Sequence, residues 1–378
     1  MTNQIEIGRG KRARQAFSFD DVSVVPTRRT RDPQDVNLSW RIDAYTFGMP
    51  VIGAPMDSVM SPETAIALGR LGGLGVLNLE GLWTRHEDPA PLLEEIASLD
   101  AQTDPSAVTR RLQEIYAAPI QAELITRRLA EMREAGVVVA GSLTPQNTRE
   151  FSDTVLAAGV DLFVIRGTTV SAQHVSTTNE PLDLKKFIYE LDVPVIVGGV
   201  AGYTPALHLM RTGAAGVLVG FGGSSSRTTR RAVGVRVPMA TAIADIAEAR
   251  RDYMDESGGR YVHVIADGGV STSGEIVKAI AMGADAVVLG AALARAEEAP
   301  GRGWHWGMEA AHPEVPRGHR THVGQVAPLQ EVLWGPSHHA DGTSNLMGGL
   351  QRAMATTGYT ELKDFQKVEV LVTPGHTA

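Results

Sequence analysis

The residues able to do chemistry in this chain are gathered in glycine-punctuated runs, each following a short apolar stretch. One is Ala266-Asp267-Gly268-Gly269-Val270; after one helical stretch comes a second, Val287-Val288-Leu289-Gly290-Ala291. Glycines at strand ends leave backbone N–H groups exposed beside a helix N-terminus, which suits a phosphate. An aspartate there can accept hydrogen bonds from two ribose hydroxyls. The pair points to a phosphorylated ligand rather than to a plain turn, without naming a reaction. A longer loop, Gly220-Phe221-Gly222-Gly223-Ser224-Ser225-Ser226-Arg227-Thr228-Thr229-Arg230, joins glycines, hydroxyls and arginines, the ingredients of an anion cradle. Alone it reads equally well as a flexible polar loop; beside the two phosphate-type runs the cradle is the better reading. In Ala54-Pro55-Met56-Asp57-Ser58-Val59 the Met can pack on a flat base, although Met more often fills a core.

Other residue types exclude chemistry. There is no cysteine in 378 residues, so no disulfide, no Cys-ligated metal and no thiol nucleophile. His305, His312, His319, His322, His338 and His339 crowd the late part of the chain, but no carboxylate cluster accompanies them to complete a metal site. They read as solvated loop histidines, and Trp304, Trp306 and Trp334 as staples for the same loop. A formal charge of −8 argues against nucleic acid. No apolar run reaches the roughly 18 residues of a membrane span. The basic first residues lack the apolar stretch of a signal peptide, so a cytoplasmic location is expected.

These loops need elements to hold them. A helical stretch ending in small-Gly recurs before a short Val- and Leu-rich run, as in Ala135-Gly136 before Val137-Val138-Val139 and Met282-Gly283 before Asp285 to Gly290. The glycine ends the helix in a left-handed conformation, and the continuous apolar run is a strand covered on both faces. Counting Pro50 to Ala54, Gly75 to Asn78, Val137 to Val139, Asp161 to Ile165, Pro194 to Gly198, Gly216 to Gly220, Val262 to Asp267 and Asp285 to Gly290 gives eight strands. Eight βα units predict an α/β fold, one (β/α)8 TIM barrel over residues 1–378, in preference to an open doubly wound sheet. The cradle loop then follows strand six. Residues 81–134 hold more helix than one crossover needs, a short helical insert. Residues 300–342, after strand eight, read as a flap-like loop over the barrel mouth.

At this level the chain resembles the IMP dehydrogenase/GMP reductase family of barrels, and most closely its short members without the CBS pair. The resemblance rests on Phe17-Ser18-Phe19-Asp20-Asp21-Val22, the Met56 loop, the strand-six loop with Gly234-Val235-Arg236-Val237-Pro238, the Asp267 and Gly290 runs, and Met347-Gly348-Gly349-Leu350-Gln351. It implies a purine nucleotide such as IMP, GMP or XMP held by Met56, Gly222, Ser225, Asp267, Gly269 and Gly290. It also implies NAD(P) as redox partner and a homotetramer. The 81–134 insert occupies the place of the CBS domains.

The resemblance breaks where the family does its chemistry. The family's attacking Cys falls on Arg227, while Thr229 matches the Thr used at hydrolysis. The Asp that holds the nicotinamide ribose falls on Arg166, an Asn on Val200, a cation-loop Gly on Ser224 and a phosphate-site Ser on Ala291. Arg317 or Arg320 would have to supply the flap arginine. Arginine cannot attack C2, and no base stands beside the hydroxyls in sequence to activate them. Three functions follow. The first is an oxidoreductase of purine nucleotide metabolism that lacks the thiol route. The second is a catalytically silent paralogue that binds a nucleotide and regulates or assembles with a partner, Arg166 and Arg227 favouring a more anionic ligand. The third is an FMN-dependent barrel.

Overall fold

Short runs of Val, Leu and Ile with no polar alternation must bury both faces, and here they do so by closing on themselves. In the computed structural model, which describes residues 4–99, 104–177, 180–221, 223–226, 229–312 and 319–373, eight parallel strands form a closed barrel. They are Val51–Gly53, Leu74–Asn78, Ala140–Leu143, Leu162–Arg166, Val195–Val200, Gly216–Val219, His263–Asp267 and Ala286–Leu289, named strands one to eight below. Strand eight pairs with strand one through Val288 and Ile52, which closes the ring. The fold is a (β/α)8 TIM barrel. Gly136 and Gly283, at φ +73 and +113, end helices in the left-handed region and turn the chain into the barrel.

Strand three differs from the sequence expectation. It runs Ala140–Leu143, not Val137 to Val139. Small residues are required there because Leu79 crosses the strand: a Cβ on Gly141 would lie 2.6 Å from its Cδ1. The valines sit one turn earlier instead, with Val137 packed onto Gly69 of the helix Pro62–Arg70.

Between strands two and three the described residues form four helices, Leu82–Arg85, Ala90–Ser98, Pro105–Tyr116 and Ala122–Glu134. The last buries Leu124, Ile125, Leu129 and Met132 against the barrel wall as a crossover helix must. The other three stand at the mouth. After strand eight, Trp304–His305 pairs antiparallel with Thr321–His322. At the opposite end the hairpin Trp40–Ile42 and Tyr45–Phe47 plugs the barrel, with Trp40 donating to His263 Nδ1 at 3.3 Å. Every site residue discussed next lies at the C-terminal end of the strands, where barrel loops converge.

Candidate functional site

A chamber of about 420 Å3 opens between the strand-six loop and the ends of strands seven and eight. One wall is backbone. A Cβ on Gly223 would touch Gly268 and Gly269 at 3.5 Å, so the two glycine loops face each other at van der Waals distance. Gly268 and Gly269 take φ +102 and +71, which other residues rarely adopt. Ser224 is used by its own loop, its hydroxyl meeting that of Ser226 at 3.1 Å. The exposed Ser225 lines the chamber with Met56, Asp267 and Gly290. Five of the nucleotide-binding candidates, Met56, Ser225, Asp267, Gly269 and Gly290, therefore meet in one cavity, although they come from four different loops. Gly222 and Arg227 lie outside the described residues. Thr229, the other catalytic candidate, is fully buried at the start of a one-turn helix, and its hydroxyl has no hydrogen-bond partner among the described residues.

Strand four brings Arg166 to the same cavity, and its partner changes the electrostatics expected there. Its Nε donates to Asp267 Oδ2 at 2.9 Å and its Nη2 to Oδ1 at 3.3 Å, with both side chains nearly buried. Burial works against the Arg166 charge, but Asp267, together with Glu309, outweighs it and holds the guanidinium pKa above its ordinary value. Arg166 is thus half of a neutralised pair and no free anion receptor. The pair forms a partition, because Arg166 also lines a second chamber of about 630 Å3. That chamber is bounded by Asn78, Glu80, Tyr116, Asn147, Thr168 and Glu309, with Met56 shared. Glu80 is already engaged, accepting from the Thr144 amide and, at 2.8 Å, from Asn147.

Beneath the partition runs a buried polar chain that joins three separate parts of the fold. Asp57, in the loop after strand one, accepts from the Tyr116 hydroxyl at 2.6 Å. Tyr116, at the end of the third insert helix, accepts from Trp306 Nε1 at 2.9 Å. Burial pushes the Asp57 carboxyl up to about 6, against the bond from Tyr116 and the Arg85 charge. Burial, then the Asp57 charge, drive the Tyr116 phenol well above its ordinary range. Gly81 makes this seat possible, since a Cβ there would stand 2.0 Å from Asp57 Oδ1.

Two residues of the late segment behave differently from their sequence reading. His305 is no solvated loop histidine: it is 1% exposed and lines the first chamber. Its Nδ1 stands 3.3 Å from the Ser58 hydroxyl, and its Nε2 would lie 3.3 Å from a Cβ on Gly290. The pairing of Trp304–His305 with Thr321–His322 turns it inward, which no local pattern announces. Arg320, a candidate for the flap arginine, is not among the residues that line either chamber. Its guanidinium lies 3.7 Å over the Trp304 ring and donates to the carbonyls of Ile96 and Leu99, pinning the segment to the insert. Arg317 lies outside the described residues. The tryptophans do staple: Trp306 is buried, and Trp334 Nε1 donates to the Leu71 carbonyl at 3.2 Å.

The model of the IMP dehydrogenase / GMP reductase domain matches residues 16–310. The chain belongs to the IMP dehydrogenase/GMP reductase family. A crystal structure of an IMP dehydrogenase/GMP reductase-like protein from Corynebacterium glutamicum superposes with a TM-score of 0.93 at 52% identity, over 98% of each chain. A protein of Mycolicibacterium smegmatis named as an uncharacterized oxidoreductase is 53% identical over 97% of this chain and 99% of its own. The inosine-5′-monophosphate dehydrogenase of Thermoplasma acidophilum is 29% identical, over 76% of this chain and 74% of its own. This is accordingly a barrel of an oxidoreductase family whose short, closely similar members form a group apart from the named dehydrogenases.

Proposed function

We propose that this member of the family binds a 5′-phosphorylated purine nucleotide in the first chamber. The phosphate would lie against the wall that Gly223–Ser225 and Gly268–Gly269 form together, the ribose against Asp267 and the base against Met56. The observation that carries the reading is the convergence of these residues from four loops onto one cavity. Backbone N–H groups in left-handed glycine turns are anion receptors, and the Ser225 hydroxyl adds a donor.

Covalent attack on the purine is not part of this proposal. The chain contains no thiol, and the buried Thr229 hydroxyl has no hydrogen-bond partner among the described residues to act as its base. A nicotinamide dinucleotide does not fit the strand-four wall either. The position that would have to receive ribose hydroxyls is a guanidinium, and the nearby Asp267 carboxylate is held by it. Glu80, the next carboxylate along, is spent on Thr144 and Asn147. The Arg166–Asp267 partition therefore favours nucleotide binding without NAD(P)-linked turnover, in a protein that regulates or assembles with a partner. A purine oxidoreductase by a non-thiol route is the second reading. It is favoured by His305, an imidazole on the chamber wall with Nδ1 set against Ser58. A homotetramer belongs to either reading, with exposed Ile5, Ile7, Val233 and Val235 as surface for a copy to cover.

The test has two stages. Thermal shift with IMP, GMP and XMP should raise the melting temperature in a dose-dependent way; no shift with any purine nucleotide overturns the proposal. Absorbance at the NADH band should then stay flat with IMP plus NAD(P) and with GMP plus reduced NAD(P). A rate proportional to protein concentration would select the oxidoreductase reading.

A further inference from the structure

The first chamber carries more positive charge than a single phosphate needs. Four arginines line it, Arg166, Arg230, Arg231 and Arg236, against two carboxylates, Asp267 and Glu275. Both carboxylates are committed. Asp267 is bound to Arg166. Glu275 caps its own helix, accepting from the amides of Ser271 and Thr272 at 2.7 and 3.0 Å. The remaining three arginines are exposed, and none has a carboxylate within ion-pair distance among the described residues. They come from one short stretch of chain. Arg230 and Arg231 belong to the one-turn helix Thr229–Ala232, and Arg236 to the segment that leads into the helix Met239–Ser257. That stretch continues from the strand-six loop, which is where the phosphate would sit.

We infer that the ligand of this chamber is a nucleoside 5′-diphosphate or longer polyphosphate, its outer phosphates held by Arg230, Arg231 and Arg236. The inference rests on the nucleotide reading above and adds the ligand class. A monophosphate brings a charge of about −1.5 to −2, which the glycine amides, Ser225 and one guanidinium already meet. Two further guanidiniums beside it would stay unmatched in a chain whose net charge is −8. A second phosphate extends from the 5′ end outward, away from the base at Met56. It meets guanidiniums, whose planar forks accept phosphate oxygens in pairs. Arg166 and Arg227 were the sequence candidates for an added anion; Arg166 is bound to Asp267, and Arg227 lies outside the described residues.

Titration calorimetry on the full chain at fixed ionic strength tests this, with inosine and guanosine 5′-mono- and diphosphates as probes. The diphosphate should bind about ten-fold or more tightly than the matching monophosphate, the effect of one or two added charge-assisted hydrogen bonds. In Arg231→Gln/Arg236→Gln that ratio should fall towards one. Both side chains are exposed, so the variant should keep the wild-type melting temperature in the absence of ligand. Equal or weaker binding of the diphosphate overturns the inference while leaving the nucleotide reading intact. A preference that survives in the double variant overturns it as well. Binding of none of the four nucleotides overturns both.

Discussion

Replacing Asp57 by Asn should make the protein's stability less sensitive to pH, by an amount the structure sets. Asp57 is fully buried among Tyr116, Asn78 and Gly81, and its carboxyl is raised from 3.8 to about 6. In the unfolded chain it returns to its ordinary value. A folded-state pKa above the unfolded one means that this group favours the folded state below pH 3.8. That contribution is lost as pH rises through about 6. A shift of about two units corresponds to about 3 kcal/mol, an order-of-magnitude figure. Asn has the same shape, can still accept from the Tyr116 hydroxyl and never ionises. Its amide nitrogen would take the place of Oδ1, which has no hydrogen-bond partner among the described residues, and that adds a cost independent of pH. The readout is therefore the slope. Urea unfolding of both proteins at pH 4.5, 5.5, 6.5 and 7.5 should show the stability of Asp57→Asn rising relative to wild type by about 2 kcal/mol across the range, the rest being lost already below pH 4.5. A flat difference would show that the carboxyl titrates normally and that the Asp57–Tyr116–Trp306 chain carries no ionisation strain. A difference that falls with pH would mean that the folded protein stabilises the carboxylate, reversing the reasoning.

The partition, the insert and the seat of Asp57 yield three more tests. Arg166→Leu leaves Asp267 ionised and nearly buried without its partner, so unfolding free energy should drop by about 3–5 kcal/mol; Arg166→Leu/Asp267→Asn should recover much of it, and a harmless single variant would refute the pairing. Arg320→Ala should cost about 2 kcal/mol in urea unfolding, because stacking on Trp304 and two carbonyl contacts are lost together; Arg320→Lys should not restore it, lacking the planar fork. Gly81→Ala should cost about 2–3 kcal/mol by driving a methyl group onto Asp57, and in an Asp57→Ala background the same change should cost much less, so additive effects would refute the contact.

What could be read from the sequence is what local patterning encodes. Eight continuous apolar runs, each after a helix or a glycine stop, specify strands that need cover on both faces, and the barrel follows from their number. Glycine turns after strands six, seven and eight specify where an anion can approach backbone. Contacts between distant residues were not legible. Arg166 and Asp267 are 101 positions apart and meet only because strands four and seven face each other across the barrel mouth. Tyr116 looks like the end of an ordinary amphipathic helix, yet it joins the strand-one loop to Trp306. His305 lies in a stretch rich in Gly, Pro and His that reads as solvent-exposed, and only its pairing with Thr321 turns it inward. Strand three was displaced because a neighbour's side chain, Leu79, chose which residues had to be small.

The departures from the family pattern are coupled to one another. A thiolate route needs a nucleophile, a carboxylate for the second ligand's ribose and a free aspartate for the first ligand's. Here the nucleophile type is missing from the whole chain, and one substitution answers both carboxylate positions. Arginine on strand four removes an acceptor from the second chamber and occupies the acceptor of the first. On the proposed reading a ribose meets an aspartate already fixed in position and neutralised by Arg166. An unpaired carboxylate there would repel an incoming phosphate; a paired one does not. The same arginine, on that reading, disfavours a dinucleotide and lowers the electrostatic penalty for a polyanion in the neighbouring chamber, whose Arg230, Arg231 and Arg236 have no carboxylate within ion-pair distance among the described residues. On the proposed reading, exclusion of a second ligand and a more anionic first ligand are two consequences of one residue.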